Sequence, residues 1–130
     1  MRAEIISVGT ELLLGDITNT TARFLAERLA LMGIDLCHQV AVGDDPPRLS
    51  EVLKIALGRA QVIVITGGLG PTPDDITREA VSQALNVPLQ HDHGVAEEIR
   101  RRFERARRPM PRSNLRQALV LAGAEVLRNP

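Results

Sequence analysis

Apolar positions along the chain fall into two periods, and the two periods take turns. Residues 2–8 (RAEIISV), 34–42 and 61–66 (QVIVIT) are short apolar runs rich in β-branched residues, the mark of strands. Between them the spacing becomes helical. Phe24, Leu25, Leu29 and Met32 recur on one helix that Asn19 can cap and Gly33 stops, after an irregular stretch from Gly9 through Asp16. Leu49, Val52, Leu53, Ala56 and Leu57 recur on a second helix that Asp45, Pro46 and Pro47 open and that runs to about Arg59. Residues 75–85 give a third, with Asp74 or Asp75 as its cap.

Strands and helices alternating at this spacing imply parallel pairing through right-handed crossovers. The predicted fold is therefore α/β: a doubly wound, mostly parallel sheet with helices on both faces. The run at residues 61–66 is the most hydrophobic and is expected to be the central strand. Beyond Val87 the pattern changes. Residues 92–108 predict one charged helix with a narrow stripe of Val95, Ile99 and Phe103, broken by PMPRSN. Residues 113–122 suggest a further helix, and AEVLRNP a last strand.

Length and charge narrow the possibilities. At 130 residues the chain suits one domain, and a formal net charge of zero gives no overall field toward nucleic acid or membrane. The arginine run in residues 92–108 reads as a solvated face paired with Glu97, Glu98 and Glu104. Aromatic residues make up 2% of the chain, too few for base stacking. The lone cysteine, Cys37, cannot form an internal disulfide and is expected to be a buried thiol in a reducing compartment. No apolar run reaches the ~18 residues of a membrane span, and Glu4 interrupts any signal-like start. A cytoplasmic protein is expected, with neither nucleic acid nor membrane as partner.

In a doubly wound sheet, ligands bind outside the carboxyl ends of the strands. Three loops meet there: GTELLLGDITN with Gly9, Thr10, Glu11, Asp16 and Asn19; the GDD of residues 43–45; and GGLGPTPDD, which follows Thr66. Gly67, Gly68 and Gly70 allow close backbone approach, so their N–H groups can meet phosphate oxygens, although glycines at such a turn can serve the turn alone. The spacing matches neither the dinucleotide fingerprint nor the P-loop. Two adjacent carboxylates, Asp74 and Asp75, would repel a phosphate unless a cation lay between. Magnesium, which binds through one or two carboxylates plus phosphate oxygens, resolves that conflict. Asp44 could serve as base for a water or as a further ligand. Asn19 could equally be a plain cap, and Glu11 a solvated loop carboxylate.

The stretches AEIISVGTELLLGDITNTTARFLAERLALMGID, VGDD and TGGLGPTPDDITREAV resemble the N-terminal domain of the competence/damage-inducible protein CinA, within the MoaB/Mog-like molybdopterin-binding superfamily. The resemblance implies that fold over residues 1–130. It places the superfamily's functional aspartates on Asp75 and Asp44, with Thr77, Glu79 and Ala80 also matching. Mog-like enzymes carry threonine where this chain has Leu69 and a basic residue where it has Asp74, which argues against adenylylation of molybdopterin. Proteins similar to CinA are implied to hydrolyse the pyrophosphate of ADP-ribose to AMP and ribose 5-phosphate with a divalent metal, here magnesium. Their nicotinamide mononucleotide deamidase domain has no counterpart in residues 1–130. The chain reads as truncated at Asn129-Pro130, where the family continues with a glycine- and proline-rich loop. Relatives form dimers or trimers, so a homo-oligomer is expected.

Two functions follow as expectations. The first is a metal-dependent nucleotide pyrophosphatase in which Gly9, Thr10, Asn19, Thr66, Gly67, Gly68 and Gly70 bind the nucleotide and its phosphates. Asp74, Asp75 and Glu11 hold the metal, and Asp75 and Asp44 are catalytic. The second is a molybdopterin- or nucleotide-binding module of molybdenum cofactor biosynthesis that does not turn over.

Overall fold

A computed structural model describes residues 1–129. Three parallel strands form the main sheet in the order β2-β1-β3: β1 is Arg2–Val8, β2 is Asp35–Val42 and β3 is Val62–Thr66. A helix follows each strand: α2, Thr20–Leu31; α3, Pro46–Leu57; α4, Thr77–Leu85. A four-residue helix, α1 (Thr10–Leu13), occupies part of the stretch expected to be irregular. Downstream lie β4 (Leu89–His91), α5 (His93–Arg105), a 3₁₀ helix (Arg112–Ala118) and β5 (Leu119–Leu121).

Strand β1, not β3, is the central strand. Its residues 3–8 are all buried, and alternate side chains supply opposite faces. Ala3 and Ile5 pack under α2 with Ala22 and Leu29, while Ile6 and Val8 pack under α3 and α4 with Leu49, Leu53, Ala56 and Ala80. Burying Ile5 and Ile6 completely contributes about 1.5–3 kcal/mol each. Strand β3 has the more apolar sequence, yet all five of its residues are only half-buried, and β1 is its one strand neighbour among the described residues.

The caps of α2 and α3 form as expected, since Asn19 accepts from Ala22 N–H and Asp45 from Arg48 N–H. The face that α2 buries is rotated from the expected one. Ala22, Leu25, Ala26 and Leu29 meet the sheet, whereas Phe24 and Met32 are exposed. Two alanines let the helix lie close to the strands, and Phe24 is instead covered by the Arg28 guanidinium, 5.0 Å from its ring. Cys37 is exposed because the β1–β2 register slips between Ala3 and Glu4, leaving Cys37 without an opposite residue.

Past α4, the sequence expectation of helix then strand gives way to a small antiparallel pair, β4 with β5, and residues 124–129 form neither helix nor strand. Pro130, the end of the expected last strand, lies outside the described residues. The α5 stripe is as expected, with Ala96 buried and Val95, Ile99 and Phe103 half-buried, and Arg100, Arg101 and Arg102 pair with Glu97 and Glu98.

One carboxylate lies inside the central strand. Glu4 is fully buried and accepts from Arg59 Nε at 2.9 Å and Nη2 at 2.8 Å, with His38 Nδ1 3.9 Å away. The Arg59 hydrogen bonds hold its carboxyl below the usual carboxylate range, against the opposing effect of burial. Because its folded value is lowered, this contribution is complete above the ordinary glutamate range and is lost as pH falls through the lowered value. Replacing both Glu4 and Arg59 by leucine should be far less destabilising than Arg59→Leu alone, which strands a buried charge. Glu4→Gln should flatten the fall of the urea midpoint as pH drops below the ordinary glutamate range of about 4.3. Urea titrations of the three variants across that range measure both effects.

Candidate functional site

The strand order 2-1-3 places the switch point of the sheet at the carboxyl end of β1. From there the chain winds one way through α2 to β2, and then crosses back through α3 to β3. The three candidate loops meet at this point. Gly9 N–H donates to Val42 O at 2.9 Å, tying the first loop to the end of β2.

The first two loops are joined by Thr10 and Asp44. The Thr10 hydroxyl donates to Asp44 Oδ2 at 3.2 Å and accepts from Asp44 N–H at 3.1 Å, and Thr10 N–H adds a longer bond of 3.4 Å. Both side chains are exposed at the edge, so the Asp44 carboxylate is oriented but open to a ligand. Asn19 is occupied at both ends of its amide: Oδ1 caps α2, and Nδ2 donates to the buried Ser7 hydroxyl at 2.9 Å. It builds the wall of the site.

The third loop is held tightly from behind. Gly67 and Gly68 have φ of +86° and +67°, and a Cβ on either would collide, with the Val8 carbonyl oxygen and the Thr77 hydroxyl respectively. The buried Thr77 accounts for this closeness, since its hydroxyl donates to Gly67 O at 2.8 Å and its N–H to Gly68 O at 3.1 Å. Arg78 donates to Leu69 O at 2.6 Å. Arg116, on the 3₁₀ helix, reaches Thr72 O at 2.6 Å, Asp75 O at 2.9 Å and the Glu79 carboxylate at 2.6 Å. The carbonyls of Gly67, Gly68, Leu69, Thr72 and Asp75 are thereby taken up, while the N–H groups of Gly68 and Leu69 donate to no backbone carbonyl or side chain among the described residues.

Asp75 is not the helix cap its sequence position suggested. Ile76 occupies the cap position of α4 without a side-chain bond, and Asp74 is exposed. The Asp75 carboxylate turns back instead, accepting at Oδ2 from the Thr72 hydroxyl at 2.7 Å and Thr72 N–H at 2.9 Å. The Thr72 hydroxyl, above all, holds its carboxyl below the usual aspartate range. Gly70 makes room for this turn, since a Cβ there would lie 2.6 Å from Asp75 Oδ2. Thr77, which the resemblance had matched without a role, braces the loop, and Thr72, Ser7 and Arg116 belong to the site although sequence reasoning missed them. Only Thr72, three residues ahead of Asp75, carried a local signal.

The expected metal set of Glu11, Asp74 and Asp75 does not come together as a cage. Among the described residues no three Asp, Glu, His or Cys side chains converge on one point. Asp74 and Asp75 stay on the third loop, whereas Glu11 folds over Gly9 on the first. Glu11 lines a cleft of about 200 Å³ with Thr18, Asn19, Thr20, Thr66 and Gly67. A larger hollow of about 310 Å³ between α5 and the C-terminal segment holds none of the candidate residues. No helix among the described residues is long and apolar enough to cross a membrane.

Known proteins share this architecture. Residues 4–128 match the family described as "Probable molybdopterin binding domain". A CinA-like protein of Nostoc punctiforme is 52% identical over the whole chain, and one of Crocosphaera subtropica 51%. The chain spans 31% and 32% of the length of those two relatives. A solved structure of CinA from Thermoplasma acidophilum superposes with a TM-score of 0.91 at 28% identity, covering 100% of this chain and 76% of that one. The molybdopterin biosynthesis enzyme MoaB of Thermus thermophilus superposes with a TM-score of 0.62 at 26% identity, covering 92% and 78%. Sheet, glycine loop and relatives agree: the chain belongs to the molybdopterin-binding domain family, on the branch of the CinA-like proteins.

Proposed function

We propose that the three loops bind a nucleotide-type pyrophosphate and hydrolyse it with a divalent metal ion, ADP-ribose being the substrate that the resemblance to CinA implies. The observation that carries this reading is the third loop. It offers free N–H groups at Gly68 and Leu69 beside an ionised Asp75, and its shape is set by Thr77, Arg78 and Arg116 before any ligand arrives. Fixed amide donors suit phosphoryl oxygens and need little reorganisation during reaction.

The donor set fits magnesium better than a resident structural ion. Asp75, with Asp74 beside it, supplies the sparse carboxylates that magnesium takes when phosphate oxygens and waters complete its shell. Such an ion would neutralise charge developing on the pyrophosphate. Asp44, oriented by Thr10, accepts a proton from a water as the water oxygen bonds to phosphorus and the bridging P–O bond breaks. AMP and ribose 5-phosphate leave. The protein would act in the cytoplasm, and as a homo-oligomer.

A second reading, a pterin- or nucleotide-binding module without turnover, is favoured by the molybdopterin-binding family match and by the absence of a three-ligand metal cage among the described residues.

Product analysis separates the two. Incubated with ADP-ribose and magnesium, the parent should release AMP, and chelation should stop it. Asp75→Asn should reduce the rate at least ~100-fold, the scale expected when a fixed electrostatic group is lost. Binding of ADP-ribose with no AMP from the parent would leave only the binding module. Gly68→Ala tests the amide cradle. The left-handed backbone alone costs about 1–2 kcal/mol in a non-glycine residue, and the collision with Thr77 adds to it. The variant should melt at lower temperature and bind ADP-ribose at least ~10-fold more weakly, as thermal unfolding and calorimetric titration would show.

A further inference from the structure

We propose that Glu11 is a sugar-reading residue: the cleft it lines takes a ribose with a free vicinal diol, and the Glu11 carboxylate accepts hydrogen bonds from the two hydroxyls. The inference rests on the reading of the site as one for nucleotide-type ligands, and it moves Glu11 from metal holding to substrate selection.

The lining of the cleft argues for a neutral, hydroxylated occupant. Thr18, Thr20 and Thr66 bring hydroxyls beside the apolar Val8, Leu12 and Ile17, while Glu11 is the only titratable residue in the wall. No lysine or arginine lines it, so a phosphate placed here would face an uncompensated negative charge. A lone carboxylate among hydroxyls and apolar side chains suits a sugar, which offers hydroxyls and apolar ring faces together, as the acidic residue of dinucleotide-binding sheets meets ribose.

The Glu11 carboxylate lies directly over the backbone of Gly9. The approach is so close that a Cβ at Gly9 would lie 2.5 Å from Oε1, and Gly9 itself is buried against the end of β1. Glu11 is exposed at the mouth of the cleft, where solvent and a ligand both reach it. Among the described residues Glu11 has no salt bridge and no side-chain hydrogen bond, so both oxygens remain available to a ligand. Gly67 lines the cleft and also begins the glycine loop, so a ribose here is continuous with a pyrophosphate on Gly68 and Leu69.

The test compares ligands that differ by one hydroxyl. Equilibrium binding of two pairs to the parent, to Glu11→Gln and to Glu11→Ala would be measured calorimetrically with magnesium present. The pairs are AMP with 2′-deoxy-AMP, and ribose 5-phosphate with 2-deoxyribose 5-phosphate. The parent should prefer the ribo form of one pair by ~10-fold or more, the scale of a hydrogen bond to a charged group, and that pair identifies which ribose occupies the cleft. Both variants should bring the ratio near one because the affinity of the ribo form falls to that of its deoxy partner. Equal binding of ribo and deoxy forms by the parent overturns the proposal. So does a preference that survives in Glu11→Ala, failure of the parent to bind any of the four, or loss of magnesium-dependent binding of deoxy ligands in both variants, which would return Glu11 to the metal. The readout is binding, so absence of ADP-ribose hydrolysis would sink the pyrophosphatase reading without touching this one.

Discussion

Hydrogen bonding of β1 along both edges, together with its burial on both faces, is the constraint on which everything else depends. From Glu4 to Val8 a strand so enclosed keeps one register on the β2 side, and its carboxyl end becomes the point from which the chain departs in two directions. Val8 and Gly9 are therefore fixed first, and the other loops are measured from them. Gly67 must pass close over the Val8 carbonyl, and Gly9 must bond Val42. The apolar core settles where the loops begin, while a set of polar contacts decides their shape.

Those polar contacts are uneven across the site. The first two loops touch through a single threonine and aspartate, both exposed. The third is braced by a buried hydroxyl, two guanidinium groups and an internal turn. This fits a division of labour in which a rigid surface presents amides to an anion and a more open one admits water. Desolvation depresses the Arg78 guanidinium's pKa, and one of its nitrogens is buried with no partner; placing it behind the loop costs stability that the bond to Leu69 O offsets in part.

How much of this the sequence disclosed follows from the range of the interactions involved. The caps at Asn19 and Asp45 and the stop at Gly33 act within a few residues, and they were legible. The three long strand runs were legible too, but not which of them is central: VIVIT looks the more buried until β1 is seen to pair on both sides. Four residues of α1 and three of β4 are too few to show a period. Asp75 misled because a carboxylate ahead of a helix usually faces forward to cap it, whereas here it bonds backward to Thr72. Arg116 sits 41 residues beyond Asp75, and no local pattern could connect them.

That separation has a bearing on how the site comes into being. The sheet and its three helices close through contacts available once α4 exists, but the loop that carries Asp75 cannot be clamped until the 3₁₀ helix has been synthesised and has docked. Contacts of long sequence separation form late because the loop they close must be ordered first. A nascent or partly folded chain can therefore own the whole of its main sheet, with Thr77 and Arg78 already behind residues 67–69, and still lack the clamp on Thr72 and Asp75. The Asp75 side of the loop is completed at the end of folding, in a step distinct from formation of the core.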